Sequence, residues 1–378
     1  MRTYARFLLV GLFIVLVLLW FVQRNGFNNG FLTNQKGTYT NLSSVAAFSA
    51  HQIWSVGGIL PAGAKSFQPF ITSWNGTRWS RVSSPSAPGQ TLSAVVAISV
   101  HDVWAVGSVI EHWNGTQWRL ISHPKGSLTS VAAVAADNVW AVGTQYDRPK
   151  NYQTLIEHWN GRSWNVVRSP NGSQGDNSLA SIAVVSATDI WAVGSFTQPL
   201  ESDDYLLIEH WDGSRWSLAP TPAIRPAAWV SNYLASMGVI SKENIWAVGG
   251  SYIPPISKYQ VLLLHWNGNI WQQIPGPRLG SECCVGLSEV IAISATDIWA
   301  VGGSDTNQPL IIHWNGSTWS VVASPPLKGV VGGSLSGVAV VSADDIWAVG
   351  TADITNIDSK HIIEHWDGGA WQLVEGSS

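Results

Sequence analysis

The feature that most constrains the fold of this chain is a unit of about 48 residues that occurs seven times from residue 42 onward. Each copy passes through a polar turn into Ile-Trp-Ala-Val-Gly and ends with Ile-x-His-Trp-Asn-Gly-x-x-Trp, or close variants of these motifs. Of the 23 tryptophans, 21 occupy three fixed positions in the copies, and only Trp20 and Trp229 lie outside them. The copies start near residues 42, 92, 128, 179, 234, 287 and 335.

Each copy contains four short apolar runs bounded by turn residues, which predict four β-strands, named a, b, c and d. The a–b link is a polar turn, and the c–d link is Asn-Gly or Asp-Gly, which favours a β-hairpin. Runs of four to six residues are too short for the helices of a solenoid. A four-stranded unit repeated seven times predicts an all-β, seven-bladed β-propeller, with the small residues of strand a nearest the axis.

The repeated tryptophans are expected to fill the space between neighbouring blades, because a residue present in every copy serves a need of every blade. The closure of the ring is a separate question. Strand a comes first in every copy, and no strand-d motif precedes Leu42. The sequence therefore leaves open how the first and last blades join.

The end of strand b resembles the kelch repeat, in which an apolar strand ends in Gly-Gly and a spaced aromatic pair follows on the next two strands. The glycine pair is matched by Gly57-Gly58, Gly249-Gly250 and Gly302-Gly303. The other four copies have Gly-Ser or Gly-Thr, and Trp stands where kelch repeats usually have Tyr. The resemblance covers residues 42–378. It implies a kelch-like propeller, and propellers of that family mostly bind other proteins, although some are enzymes.

The N-terminus carries a signal of a different kind. Two arginines precede an uncharged apolar run over residues 7–22, which approaches the length needed to cross a bilayer core. Residues 1–24 are therefore predicted to be a signal-anchor or transmembrane segment, residues 25–41 a linker and residues 42–378 the propeller. The arginines favour a single-pass protein of the cell membrane with the propeller outside. A cleaved signal peptide and a secreted propeller are the alternative.

Charge and cysteine content exclude several partners and cofactors. A net charge of −4, from 20 Lys+Arg against 24 Asp+Glu, provides no basic surface for nucleic acid. The two cysteines, Cys283 and Cys284, are adjacent and fit neither a disulfide scaffold nor a four-thiolate zinc site. Strand c carries a histidine in six copies: His112, His158, His210, His265, His313 and His365. One histidine per blade is too dispersed to bind a single ion, so we expect a structural role and predict no metal or cofactor.

Function is expected where the copies differ. The a–b and c–d turns are short and alike, whereas the b–c and d–a loops vary in length and emerge together on one face. Aromatic and charged residues concentrate in these loops on copies 3 to 5, with Trp229 foremost because it belongs to no repeat. The candidate binding residues are Tyr146, Arg148, Tyr152, Asp203, Asp204, Tyr205, Arg225, Trp229, Tyr233, Tyr252 and Arg278.

Three functions fit this sequence. The favoured one is a non-catalytic binding module for a protein or glycan, acting through the variable face. The alternative is a carbohydrate-active enzyme, a glycosidase or oxidase, that uses loop acids such as Glu201 and Glu282 on the same face. A glycosidase needs two carboxyls about 5–10 Å apart, which a sequence cannot show. The third is a structural propeller that docks onto a membrane complex.

Overall fold

The computed structural model describes residues 38–146, 151–199, 203–222, 224, 231–253, 258–279, 285–304, 308–355 and 358–374. Within these ranges 28 strands form seven separate four-stranded antiparallel sheets. The chain is therefore a seven-bladed β-propeller. The predicted membrane segment lies outside the described residues, and no helix within them has the length and apolarity needed to cross a membrane.

Each blade is made from four consecutive strands. Blade 1 contains β1 (Tyr39–Ser49), β2 (Gln52–Leu60), β3 (Gln68–Trp74) and β4 (Trp79–Val82). Blade 2 contains β5 (Leu92–Ser99), β6 (Asp102–Gly107), β7 (Ile110–Trp113) and β8 (Trp118–Ile121). Blade 3 contains β9 (Ser127–Ala135), β10 (Asn138–Tyr146), β11 (Tyr152–Trp159) and β12 (Trp164–Val167). Blade 4 contains β13 (Asn177–Ser186), β14 (Asp189–Thr197), β15 (Asp204–Trp211) and β16 (Trp216–Leu218).

The remaining three blades have the same order. Blade 5 contains β17 (Asn232–Ser241), β18 (Asn244–Ile253), β19 (Lys258–Trp266) and β20 (Trp271–Gln273). Blade 6 contains β21 (Gly286–Ser294), β22 (Asp297–Gly303), β23 (Pro309–Trp314) and β24 (Trp319–Val322). Blade 7 contains β25 (Gly332–Ser342), β26 (Asp345–Thr355), β27 (Asp358–Trp366) and β28 (Trp371–Leu373). The a strands of neighbouring blades contact one another and surround the axis, and the d strands are outermost.

The glycine that ends the Trp-Ala-Val-Gly motif has a steric reason to recur. In every blade the register between strands a and b shifts at this point, which marks a β-bulge. A Cβ added to Gly194 would lie 2.0 Å from the backbone oxygen of Ser178 on strand a. The same approach, 2.0 to 2.1 Å, occurs at the matching glycine of each other blade. Only glycine fits opposite the bulge.

Tryptophans form the seams between blades, as the sequence predicts. The strand-b tryptophan of each blade packs against the strand-c and strand-d tryptophans of the next blade. Trp191 lies 5.0 Å from Trp266 and 5.7 Å from Trp271 between ring centroids. The strand-b and strand-d rings are buried, and the strand-c rings are half-buried. Aromatic area of this size is a major source of packing energy.

The ring closes by the same packing as every other seam. Trp347 of blade 7 lies 5.0 Å from Trp74 and 5.6 Å from Trp79 of blade 1. The His361 amide donates a hydrogen bond of 3.0 Å to the Thr40 hydroxyl across this seam. Within the described ranges, each of the two sheets consists of its own four strands, and no strand is exchanged between the two blades.

The strand-c histidines belong to the framework. In blade 4, His210 Nε2 lies 2.8 Å from Asp189 Oδ1, and Trp191 Nε1 donates to that same oxygen at 2.8 Å. The rings of His210 and Trp191 are 4.2 Å apart. Each of the other strand-c histidines pairs in the same way with the Asp or Asn at the start of strand b. Among the described residues, no three His, Cys, Asp or Glu side chains are grouped to hold a metal ion.

Candidate functional site

The variable face carries cross-strand aromatic pairs at the tips of the b–c hairpins of blades 3, 4 and 5. Their ring centroids are 5.1 Å apart in Tyr146–Tyr152, 5.4 Å apart in Phe196–Tyr205 and 4.9 Å apart in Tyr252–Tyr259. Strand register places the members of each pair opposite one another. The pairs therefore lie side by side on the variable face, at the ends of three neighbouring blades.

Two of these pairs border the same seam. Side chains alternate between the faces of a strand, so Tyr146 shares a face of β10 with Trp140, which packs toward blade 4. Phe196 belongs to the same core cluster as Trp140, and it therefore faces blade 3. Tyr146, Tyr152 and Tyr205 are 55%, 43% and 39% exposed. The structure thus brings three of the candidate binding residues to the rim of the seam between blades 3 and 4.

The remaining candidate residues are dispersed. Asp204 is buried, and the Ser231 hydroxyl donates to its Oδ2 at 2.5 Å. Burial raises the pKa of Asp204, the Ser231 hydrogen bond lowers it, and the charges of Asp203 and Asp176 raise it further. Asp203 itself is half-buried, beside Asp204 at the start of β15.

Two candidate tyrosines, Tyr233 and Tyr252, are less exposed than the three at the rim of the seam between blades 3 and 4. The Tyr233 ring covers Gly250 and Gly286, and burial raises the pKa of its hydroxyl to about 12. Tyr252 is only 9% exposed, which leaves little of its ring for a partner. Arg278 is exposed on the linker after blade 5. Candidate residues outside the described ranges are Arg148, Arg225 and Trp229.

Below the rim, an open groove of about 920 Å³ follows the outer side of the seam between blades 3 and 4. One wall is the end of β12 and the linker that leads to blade 4. The other wall runs from the c–d turn of blade 4 to its b–c loop. The groove is lined by Val167, Arg168, Ser169, Pro170, Asn171, Gly172, Ser173, Gln174, Gln198, Pro199, Trp211, Ser214, Arg215 and Trp216. We call this the blade 3–4 groove.

The linker wall of the blade 3–4 groove is held in one conformation by buried amides. Asn177, 1% exposed, accepts from the Gly172 and Ser173 amides at 2.8 and 3.2 Å. Its Nδ2 donates back to the Ser173 and Gly175 carbonyls at 3.1 and 2.8 Å. The Thr154 amide donates to Asn171 Oδ1 at 3.0 Å from strand c of blade 3. A wall fixed in this way is preorganised, which lowers the entropy lost on binding.

Beneath this wall lies a buried carboxyl. Glu209, fully buried, accepts hydrogen bonds of 2.8 and 3.0 Å from the Ser169 hydroxyl, and burial raises its pKa to about 8. A serine bonded to a carboxyl resembles a nucleophile and its base. However, Ser324 donates to the buried Glu364 at 2.9 Å in the seam between blades 6 and 7. The seam between blades 1 and 2 has the same arrangement of serine and glutamate, so the pair is a framework feature.

Other seams have different residues at the positions of this serine and glutamate. In the seam between blades 2 and 3, the strand-c glutamate is Glu157, and its partner at 3.3 Å is His123 instead of a serine. In blade 5 the same strand-c position is Leu264, and the linker residues Ala219 and Ile224 pack against its cluster. In these five seams, a polar strand-c residue therefore meets a polar linker residue, or an apolar strand-c residue meets apolar ones.

The charge of the blade 3–4 groove comes from two arginines. Arg168 and Arg215 line the groove, and no acidic side chain is part of its described lining. Arg215 Nε is 3.7 Å from Asp212 Oδ2, and both side chains are largely exposed. The Ser214 hydroxyl and the amides of Arg215 and Ser214 lower the pKa of Asp212 to about 2, so it is ionised. Arg168 makes no ion pair within the described part of the chain.

Neither arginine of the blade 3–4 groove is among the residues selected from the sequence, because only the variable loops were considered. Arg168 directly follows the short strand β12, and Arg215 lies in the repeated c–d turn of blade 4. The signal is visible in the copies when they are compared position by position. The residue after a four-residue strand d is Ser83, Ser122, Arg168 or Ala323. The residue before the strand-d tryptophan is Arg78, Gln117, Ser163, Arg215, Ile270, Thr318 or Ala370. Only the seam between blades 3 and 4 has a cation at both positions.

The chain matches no protein-family model and no curated protein. Solved structures share its fold at low identity. YCF48 bound to a D1 peptide is 14% identical with a TM-score of 0.51, over 84% of this chain and 92% of that one. A polysaccharide lyase, an ulvan lyase, is 10% identical with a TM-score of 0.61, over 91% and 97%. The WD40 repeats of RRP9 are 12% identical with a TM-score of 0.52, over 82% and 86%. Similarity at this level establishes the propeller fold alone.

Proposed function

We propose that this chain is a kelch-like propeller, anchored in the cell membrane through residues 7–22, that binds a protein or glycan outside the cell without catalysis. The observation that carries the proposal is the blade 3–4 groove with the exposed tyrosines at its rim. A preformed concavity with convergent polar groups is the usual form of a ligand site. Arg148, Arg225 and Trp229, which lie outside the described residues, remain predicted binding residues.

Proteins of this fold engage both classes of ligand. YCF48 has a peptide bound in its structure, and the ulvan lyase has been determined with -[GlcA(1-4)Rha3S]- bound. These ligands belong to those proteins. They support the proposal because they show that a propeller of this size offers surfaces for either class.

Binding is favoured over hydrolysis by the chemistry of the groove. Glycosidases place two carboxyls on either side of the scissile bond. The described lining of the blade 3–4 groove contains no carboxyl, and Glu209 behind it is fully buried. The groove can therefore hold a ligand through hydrogen bonds, charge and an indole, without an acid and base pair of its own.

The test is binding of the full chain, in a non-ionic detergent, to arrays of glycans and of peptides. Double substitution of Tyr146 and Tyr205 by Ala should abolish binding, and Trp229→Ala should weaken it. A matched control replaces Leu120 and Val321, each 51% exposed on outer strands, by Ala. Binding that survives in the tyrosine variant and is lost in the control would place the site elsewhere. Absence of binding to both arrays would overturn the proposed function.

The membrane anchor has its own test. The full chain should remain in the membrane pellet after alkaline extraction, and deletion of residues 1–24 should release it. Protease added to intact cells should digest the propeller of the full chain. Recovery of the full chain in the soluble fraction would contradict the anchor and favour the secreted form.

A further inference from the structure

Comparison of the seven seams shows which residues occur only at the blade 3–4 groove. All seven share the tryptophan packing, and four share a buried glutamate with a polar partner. The pair Arg168 and Arg215 occurs only at the seam between blades 3 and 4. Because neither arginine is part of the repeated framework, the framework does not explain their placement on two walls of one groove.

We infer that the blade 3–4 groove binds an anionic oligosaccharide, whose carboxylate or sulfate groups are held by Arg168 and Arg215. This inference rests on the proposed binding function and names its ligand class. Arginine presents a planar fork of N–H donors that matches carboxylate and sulfate oxygens with two hydrogen bonds. The ion pair of Arg215 with Asp212 is long and exposed, so solvent screens it and an incoming anion can compete with it.

The rest of the lining fits a sugar better than a peptide. Six of its 14 lining residues carry an amide or hydroxyl, among them Asn171, Gln174 and Gln198, which can pair with sugar hydroxyls. The half-buried Trp211 provides an indole for the apolar side of a sugar ring. Peptides are usually anchored by large apolar side chains in apolar pockets. Aside from its two tryptophans, this groove offers Val167 and prolines.

The size of the groove sets the length of the ligand. A volume of about 920 Å³ is near the upper end of the usual range for small-molecule sites, roughly 300–1,000 Å³. A single sugar ring would leave most of it empty, whereas several linked rings would reach from the c–d turn to the b–c loop of blade 4. We therefore expect affinity to rise from the disaccharide to the tetrasaccharide.

Calorimetric titration of the full chain with four probes tests the inference. The probes are a tetragalacturonate, a sulfated galactose tetrasaccharide, the neutral cellotetraose and a decapeptide of glutamates. We expect binding of at least one anionic saccharide, weakened by added salt, and no measurable binding of cellotetraose. Preference for the first or second probe distinguishes carboxylate from sulfate recognition.

Variants locate the site. The double variant Arg168→Gln and Arg215→Gln should weaken binding of the anionic saccharide about 10- to 100-fold, the range for loss of charged hydrogen bonds. The control is Arg78→Gln with Arg162→Gln, which changes the net charge equally at exposed arginines outside the groove lining. It should stay within about twofold of the wild type. Equal melting temperatures confirm that both variants are folded.

Several results would overturn the inference. Equal binding of cellotetraose, stronger binding of the glutamate peptide, binding of none of the probes, or unchanged affinity of the groove variant would each do so. If the arrays show binding that depends on Tyr146 and Tyr205 but not on the arginines, the proposed function stands and this inference fails. If the arrays show no binding, both fail together.

Discussion

Replacement of Glu209 by Gln should flatten the pH dependence of the unfolding free energy. Glu209 is fully buried between blades 3 and 4 and bonded to Ser169, and burial raises its pKa from 4.5 to about 8. The folded protein therefore keeps the carboxyl proton at a pH where the unfolded chain releases it. Gln has nearly the same volume, accepts the Ser169 hydrogen bond and does not titrate.

The sign and size follow from proton linkage. A carboxyl whose pKa is higher in the folded state favours folding fully below pH 4.5, and this contribution is lost as the pH rises through about 8. The shift corresponds to a loss of about 4 kcal/mol between pH 4 and pH 8. Relative to the wild type, the Glu209→Gln variant should gain stability by up to that amount across this window.

Urea unfolding at intervals from pH 4.5 to pH 8.5, followed by tryptophan fluorescence, measures the difference between the two curves. Other buried groups, including Glu289 and Glu364 with pKa values raised by burial to about 8 and about 7, cancel in that difference. The control is Glu243→Gln, at a side chain 68% exposed. Parallel curves for the wild type and the Glu209→Gln variant would refute the reasoning.

Three further predictions concern the framework. Trp191→Ala should lower the unfolding free energy by about 3–5 kcal/mol in urea titrations, since it empties a buried aromatic seam; a loss under about 1 kcal/mol would contradict the packing. Gly194→Ala should lower the unfolding free energy by about 3 kcal/mol or more, because the new Cβ would collide with the backbone oxygen of Ser178. In the control Gly369→Ala, the new Cβ meets only ordinary contacts, and the melting temperature should change little. Addition of a chelator should leave the melting temperature unchanged, because His158 bonds to its own blade; a clear drop would indicate a bound metal.

Most of the fold could be predicted from the sequence because every repeat contains the tryptophans that pack between blades. Each blade has one neighbouring blade on each side, so the strand-b tryptophans Trp191 and Trp347 contact equivalent partners in their seams. Ring closure could not be predicted, since the same motif is compatible with a strand exchanged between the ends. The strand order of the first and last sheets, each made of its own four consecutive strands, settles the question.

The candidate site was predicted only in part. Loop length and residue type drew attention to blades 3 to 5, and the structure places two of the selected residues, Tyr146 and Tyr205, at the rim of one seam. The same criteria selected Tyr252, which the structure buries although it follows its strand-b tryptophan by the same six residues as the exposed Tyr146; residue type and repeat position therefore do not show exposure. They also passed over Arg168 and Arg215, which become neighbours of one groove only when two blades are set side by side.

Closure without strand exchange has a consequence for how the ring assembles. Six seams join segments adjacent in the chain, whereas the bond between Thr40 and His361 spans 321 positions, so the entropy cost of closing this loop is the largest of the seven. We expect the blades to form an open arc whose ends meet last. The two ends of that arc are complementary, since one carries the Trp347 face and the other the Trp74 and Trp79 face. An arc that fails to close on itself can join the end of another arc, and at high concentration this head-to-tail association competes with formation of the ring.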